Sequence, residues 1–461
     1  MNNQQQQPVP PLPSYITSAS PNPQANRAPW YKTTAQTYAG IFLWFAFWDK
    51  MSSNGLASGG LGAVLIGVVL GALICHYLFF LVPGLLGMQT GLPLYIVGTS
   101  TFGAMGALIM PGLLMGVLQF GWLAVNSYYS AGALVAGFHA PALRVPICIL
   151  WTLAAAFVGL KGIQYVARVA TYLPLIPLVV LIAGLAFFGG SAPDYKPASA
   201  AAASGGAFNA ILGMVAYIVG FFATAGAAGV DICASNRDKR DVSLGGIVGI
   251  IIAIIFTAGI SVIAVAGARQ MGLIDGSVVN MTDALQKKLS SSTFAAAMIG
   301  LTLAAFPGAC FSSFIAANSF KTTMPKVNPF VSVGLGALVS IILAVTGLAG
   351  DLPSVFGLIG ASFGPIVGAM VVDYLLSGGR WTGPRAGFNP AGWLAWLVGF
   401  IVGILPNQML PASVRVEVPC APVAAFVVGA ALYFLLAKMG VQTQVIPLPP
   451  KPAPAPQQTA K

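Results

Sequence analysis

Twelve apolar runs dominate this chain, each near the length a helix needs to cross a bilayer. A helix rises about 1.5 Å per residue, so roughly 20 apolar residues match a hydrocarbon layer about 30 Å thick. The runs fall at about 36–58, 60–86, 104–137, 144–160, 171–190, 207–229, 243–268, 294–319, 329–349, 354–376, 390–406 and 421–437. Only 7% of the 461 residues are charged, against about a quarter in a soluble domain. A chain with so little charge to cover a water-facing surface reads as an all-α integral membrane protein with twelve transmembrane helices.

The ends differ in composition. Residues 1–35 are rich in Gln, Pro and Ser, and 441–461 are rich in Pro. Neither stretch carries an apolar period, so both are expected to be disordered tails. No basic stretch followed by a short apolar core opens the chain, so no cleaved signal peptide is expected. An even number of crossings puts both tails on one side. With the tails cytoplasmic, fourteen Lys and Arg residues lie on inner segments, six lie on outer loops, and Lys50 falls inside a span. The positive-inside rule therefore puts both termini in the cytoplasm and the protein in the plasma (inner) membrane. The net charge of +11 is accounted for by topology. No basic stripe with interleaved aromatics points to nucleic acid.

An Ala/Ser/Gly-rich segment, Gly189 to Gly206, separates spans one to five from spans six to ten. Span one starts inside and span six outside. Two five-span units of opposite orientation are the signature of an inverted-repeat secondary transporter. They give a first repeat over 36–190, a second over 207–376, and two further helices over 390–440. Such folds place the site where the first helix of each repeat is interrupted. Span one carries Phe47-Trp48-Asp49-Lys50-Met51-Ser52-Ser53-Asn54-Gly55, and span six carries a glycine-rich run from Gly220 to Gly229. Span eight carries Phe306-Pro307-Gly308-Ala309. All three are expected to be breaks, with packing alone as the alternative use of their Pro and Gly.

Polar groups at depth narrow the reading. Gln119, Trp122 and Asn126 in span three recur at three and four residues and share one helix face. Two amides and an indole on one face suit a flat heteroaromatic ligand; a neighbouring helix is the alternative. Asp49 beside Lys50 could carry a proton or hold a cation if it lies at membrane depth, or stand at the outer mouth if span one ends near Trp48. Asp231 and Asp373 are expected to pair with a nearby Arg or Lys, or to cap a helix. Cys75, Cys148, Cys233, Cys310 and Cys420 are spaced singly and read as free buried thiols. His76 and His139 are too far apart for a metal site. His76, inside an apolar run, reads as a hydrogen-bonded structural histidine, with proton carriage as the alternative. Neither a nucleophile elbow nor a phosphate loop is present, so no enzyme and no cofactor are expected.

Several runs resemble the nucleobase:cation symporter-1 family, which includes bacterial cytosine permeases and fungal purine-cytosine permeases. The stretch QTGLPLYIVGTSTFGAMGALIMPGLLMGVLQFGWLAV holds Thr90-Gly91-Leu92, Thr101-Phe102-Gly103 and the pair Gly121-Trp122 two residues after Gln119. Val219 to Gly226 followed by Asp231 is similar to the family's sixth helix, and Gly360 to Leu376 to its tenth. The resemblance implies a leucine-transporter-like 5+5 inverted repeat with two peripheral helices. It implies a planar substrate held between Trp122 and Phe222, with Gln119 bonding the ring edge. Backbone groups freed from Phe221 to Ala225 are implied to add contacts, and Pro307 and Gly308 to line the far side.

Helix eight departs from the family. Sodium-coupled members carry an Asn and two threonines where this chain has Thr302, Ala305 and Phe306. A sodium site would be left with Thr302 and backbone carbonyls near Phe42 and Ala46, so a proton is favoured over sodium, with Asp49 as carrier. The expected function is import of cytosine, a purine or a similar heterocycle by cation symport with alternating access. The alternatives are an uncoupled facilitator, or a transporter of the same fold for allantoin, hydantoin, a vitamin or an amino acid. The expected partners are that substrate, H+ or Na+, and the lipid bilayer.

Overall fold

The computed structural model describes residues 11–42, 53–161, 172–173, 175–197, 206–274 and 281–448. Its described elements are helices, with β-pairing limited to two isolated bridges. Nine helical stretches among the described residues are long and apolar enough to cross a membrane, and two shorter apolar helices accompany them.

Spans one and two comprise α1 (Thr34–Phe42), α2 (Ser53–Ile74), a π-helical turn (Cys75–Phe80) and α3 (Leu81–Thr90). Gly60 divides the two spans inside α2, with φ 74° and ψ 177°, a backbone geometry open to glycine and strained for other residues. Spans three to five are α4 (Leu114–Phe138), α5 (Arg144–Lys161) and α6 (Leu175–Phe188). Span six is α7 (Gly206–Ala227). Span seven is α8 (Lys239–Gly246), a π-helical turn (Ile247–Ile252) and α9 (Ala253–Gln270), a further π-helical turn over Leu108–Leu113 preceding α4. Spans eight to twelve are α10 (Ser291–Thr323), α11 (Pro329–Val345), α12 (Leu352–Leu376), α13 (Pro390–Ile404) and α14 (Ala421–Lys438).

These helices pack in two groups. Spans one, two, six and seven form one bundle, in which α2 lies along α7 and α9, and α1 lies on the Ile247–Ile252 turn. Spans three, four, eight and nine form the other, in which α4 lies along α10 and α11, and α5 along α10 and α11. The second group pairs in a way that the repeat predicts: span four on span eight is matched by span nine on span three. Helix α12 bridges the groups through α7, while α13 and α14 pack on its outer side.

Two expected interruptions are absent or smaller than the sequence suggests. Helix α7 continues through Phe221–Ala225, and its irregularity is confined to Ala228, before a short helix over Gly229–Cys233. Its glycines serve close packing. A Cβ on Gly220 would stand 2.6 Å from the Phe356 carbonyl oxygen, and one on Gly226 would stand 2.9 Å from Phe79 Cβ. Helix α10 runs unbroken for 33 residues with Pro307 inside it. Residues 47–52 of the span-one breaker, Asp49 among them, lie outside the described residues, as does Ala46, while Ser53–Gly55 open α2.

The ends also correct the composition-based reading. Residues 11–35 are not a disordered tail. Ile16 is buried, the Tyr15 hydroxyl donates to the Ala104 carbonyl, and Asn22 N donates to Gly91 O at 2.8 Å. Arg27 donates to Met88 O at 2.6 Å and to Asn236 O at 3.3 Å. The last carbonyls of a helix have no partner within it, and this segment supplies donors to them. At the other end, Ile446 is buried, its N–H donates to Pro384 O at 2.7 Å, and Ala386 N donates to Gln444 O at 2.9 Å. Residues 1–10 and 449–461 lie outside the described part.

Candidate functional site

The two helix groups meet at a cluster of rings. Trp122 of α4 stands edge-on to Phe221 of α7, with centroids 5.1 Å apart and planes at 88°. It leans on Phe356 of α12 at 5.5 Å and 34°. Phe356 in turn meets Phe221 at 5.3 Å and Tyr217 at 4.9 Å. The Trp122 indole N–H donates to Thr224 Oγ1 at 3.3 Å. Phe221, Phe356 and Thr224 are buried, and Trp122 is half-buried. The cluster therefore has one face that is not sealed by protein.

Phe222 is not the partner of Trp122. It is fully buried and tilts against Tyr38 of α1 at 5.7 Å. Adjacent residues on a helix point about 100° apart, so only one of the two phenylalanines faces α4, and the packing selects Phe221. The Ala225 carbonyl is not freed by an unwound helix either: it lies within α7 and accepts the Tyr38 hydroxyl at 2.8 Å.

Of the amides, Gln119 is buried, with Nε2 3.6 Å from Met115 Sδ, one turn back on its own helix. A thioether is a weak acceptor, so this amide keeps most of its bonding capacity. Asn126, to which the family resemblance gives no role, stands beside the same face. It lies one turn beyond Trp122, accepts Ser130 Oγ at 3.4 Å, and puts Nδ2 3.4 Å from the point where Gly308 would carry a Cβ. Gly308 is exposed, and Pro307 beside it is buried. The helical spacing from Trp122 was the signal for Asn126. Phe356 had none, because nothing local in α12 marks it as facing α4.

The cation residues do not assemble into an oxygen-rich cage among the described residues. Thr302 is buried, and its hydroxyl donates to Met298 O at 2.8 Å, with Ser130 O at 3.4 Å. Ala305 is buried and offers no side-chain ligand. Phe42 ends α1, and Ala46 and Asp49 lie outside the described residues. No group of His, Cys, Asp and Glu that could hold a metal occurs among the described residues.

Asp231 and Asp373 have structural partners. Asp231 accepts the backbone N–H of Leu94 at 3.1 Å, capping the short helix Leu94–Val97. Asp373 accepts the Tyr433 hydroxyl at 2.8 Å and the Thr101 hydroxyl at 3.3 Å, and lies 3.5 Å from Arg385 Nη2. The Arg237 side chain pairs with Asp241 at 2.7 Å, not with Asp231.

No family model and no curated protein matches the sequence. Solved structures do. The inward-facing conformation of Mhp1 superposes with TM-score 0.67 at 17% identity, covering 92% of this chain and 93% of that one. A closed conformation of Mhp1, a nucleobase-cation-symport-1 family transporter with bromovinylhydantoin bound, gives 0.63 at 17% identity, covering 93% and 96%. A substrate-bound, outward-open Na+-coupled sialic acid symporter gives 0.55 at 15%, covering 94% and 93%. The chain therefore has the leucine-transporter-like fold of the nucleobase-cation-symport-1 transporter Mhp1.

Proposed function

We propose that this chain is a secondary transporter of the nucleobase:cation symporter-1 family, importing a nucleobase or a related planar heterocycle across the plasma (inner) membrane with a coupling cation. The observation that carries this reading is the ring cluster of Trp122, Phe221 and Phe356 at the junction of the two helix groups, with Gln119 and Asn126 on the Trp122 face. A flat ring that enters between Trp122 and its neighbours exchanges aromatic contacts for its own, and base–aromatic stacking contributes ~1–3 kcal/mol. The two amides each offer a donor and an acceptor to the ring edge, and hydrogen bonds in a dry pocket discriminate between rings more strongly than stacking does. The bromovinylhydantoin bound to a protein of the same fold is also a flat ring with amide edges.

The packing in two helix groups supports alternating access. Movement of one helix group against the other opens the ring cluster to one side at a time. Both termini are cytoplasmic on the positive-inside count. A proton is favoured over sodium, because Thr302 is tied to its own helix and Ala305 brings no oxygen. Asp49 is the carrier candidate from the sequence.

The test is uptake of labelled cytosine, adenine, uracil, allantoin and hydantoin into proteoliposomes under imposed proton or sodium gradients. The expected result is accumulation of at least one of these rings with an inward proton gradient. Trp122→Ala is expected to lower that uptake by roughly tenfold or more, in line with the loss of one to two stacking contacts. Full uptake by Trp122→Ala rejects the stacking site. Equilibration with no accumulation under either gradient assigns the protein as a facilitator.

A further inference from the structure

His76 does not fit the role of a hydrogen-bonded structural histidine. It is 1% exposed, and among the described residues nothing hydrogen-bonds its Nδ1. A buried nitrogen without a partner costs stability that a hydrocarbon ring of similar size avoids. Packing alone therefore does not account for an imidazole at this position.

Its surroundings are unusual in a second way. His76 lies in the π-helical turn Cys75–Phe80, and its ring presses on Gly246, where a Cβ would stand 2.5 Å from Nδ1. Gly246 immediately precedes another of the three described π-helical turns, Ile247–Ile252, and these two pack together, while the third, Leu108–Leu113, lies elsewhere. Single π-turns are rare and concentrate at functional sites. Here two of them face each other on the second helix of each repeat.

A run of direct contacts joins this point to the ring cluster. His76 leans on Phe80 at 5.7 Å, and Phe80 meets Tyr38 edge-on at 5.1 Å. Tyr38 donates to Ala225 O, next to Thr224, which accepts the Trp122 indole N–H. Tyr38 belongs to α1, the described start of span one. Its ring and that of Phe80 stand between His76 and the stretch of α7 that faces the proposed substrate.

We propose that His76 is a proton-binding residue of the transport cycle, taking up a proton when movement of α1 parts Tyr38 from Phe80 and losing it when that contact re-forms. This deepens the proton-coupled reading above and rests on it. In the arrangement described, Nδ1 meets no acceptor that a proton there could use, so proton occupancy and conformation are linked, and linkage of this kind is reciprocal. Substrate acts on the same linkage through Thr224 and Ala225.

No existing ion pair pre-empts the role. The titratable or charged groups on the elements around the turn are Cys75 and Tyr77 within it, Tyr217 on α7, Tyr38 on α1, and Asp373 and Tyr374 on α12. Lys239, Arg240 and Asp241 open α8. Tyr77 meets the His76 ring edge-on at 4.6 Å, Asp373 is held by Tyr433 and Arg385, and Asp241 by Arg237.

The chain has two histidines, which makes the test direct. In His139→Gln protein labelled with 15N-histidine and placed in nanodiscs, the one ring signal belongs to His76. It is expected to change protonation state between about pH 8 and about pH 5, the range in which imidazoles titrate, and the protonated fraction is expected to move when cytosine, adenine or hydantoin is added. A signal that keeps one protonation state over that range, with and without these solutes, overturns the proposal. In proteoliposomes, His76→Gln and His76→Asn are expected to lower accumulation driven by an inward proton gradient by about tenfold while leaving equilibrium exchange within about twofold. Gradient-driven accumulation at the native level in both variants also overturns it. If the native protein accumulates none of the solutes, the transport reading fails, and the ring titration still decides whether His76 binds a proton.

Discussion

Gly220 illustrates how closely single residues define this site. A Cβ there would lie 2.6 Å from the Phe356 carbonyl oxygen and 3.2 Å from the Phe356 Cβ. The obstacle is backbone, which cannot rotate away as a side chain can. Gly220→Ala is therefore expected to cost ~1–3 kcal/mol, the range for overpacking a close-packed interior. Because α12 carries Phe356, the same change is expected to shift Trp122 fluorescence. Thermal unfolding in detergent and tryptophan emission read the two effects, and an unchanged melting temperature contradicts the packing described. Phe221 and Phe222 make the same point in another form. The sequence offers two adjacent phenylalanines without distinguishing them, and only the rotation of α7 against α4 and α1 sends Phe221 to Trp122 and Phe222 to Tyr38.

At the scale of elements, Pro307 is the instructive case. A proline inside a helix removes one N–H donor and crowds the preceding turn, so the run Phe306–Ala309 reads as a break. Helix α10 nevertheless continues from Ser291 to Thr323, packed on α4 and α5. In a low-dielectric setting the remaining backbone bonds have no water to compete with them, and neighbouring helices hold the segment in place. Pro307→Ala restores one donor and leaves the course of the helix unchanged. It is expected to alter stability by no more than about 1 kcal/mol, the net value of one backbone hydrogen bond. Hydrogen exchange along α10 checks this, and a large gain or loss of protection around residue 307 contradicts an unbroken helix. Gly60 behaves in the opposite way: with φ 74°, it turns the chain between spans one and two, where the pattern of apolar runs alone puts the boundary.

For the whole molecule, a buried polar cluster ties distant parts together. Arg385 donates to Ser100 O at 2.8 Å and to Thr443 O at 3.0 Å, and approaches Asp373, which also holds Tyr433. One pair of charges thus joins α12, the connection before α4, α14 and the segment that follows it. Removing one partner of a buried pair leaves the other charge uncompensated, at a cost of ~3–5 kcal/mol. Asp373→Asn is expected to fall in the upper part of the range for single substitutions and to expose residues 441–448. Unfolding in detergent and limited proteolysis near Val445 report both outcomes, and native stability with a protected C-terminal segment rejects the role assigned to the cluster.

The all-helical membrane class and the placing of Gln119, Trp122 and Asn126 along one helix were legible in the sequence. Each depends on local periodicity and on transfer of apolar length into a bilayer, quantities that a linear chain carries by itself. The partner of Trp122, the continuity of α7 and α10, the docking of residues 11–35 and the unpartnered Nδ1 of His76 were not. Those depend on which surface of one helix meets which surface of another, hundreds of residues apart in places. Tertiary packing decides whether a glycine bends a helix or admits a neighbour, and whether a polar tail meets open carbonyls or water.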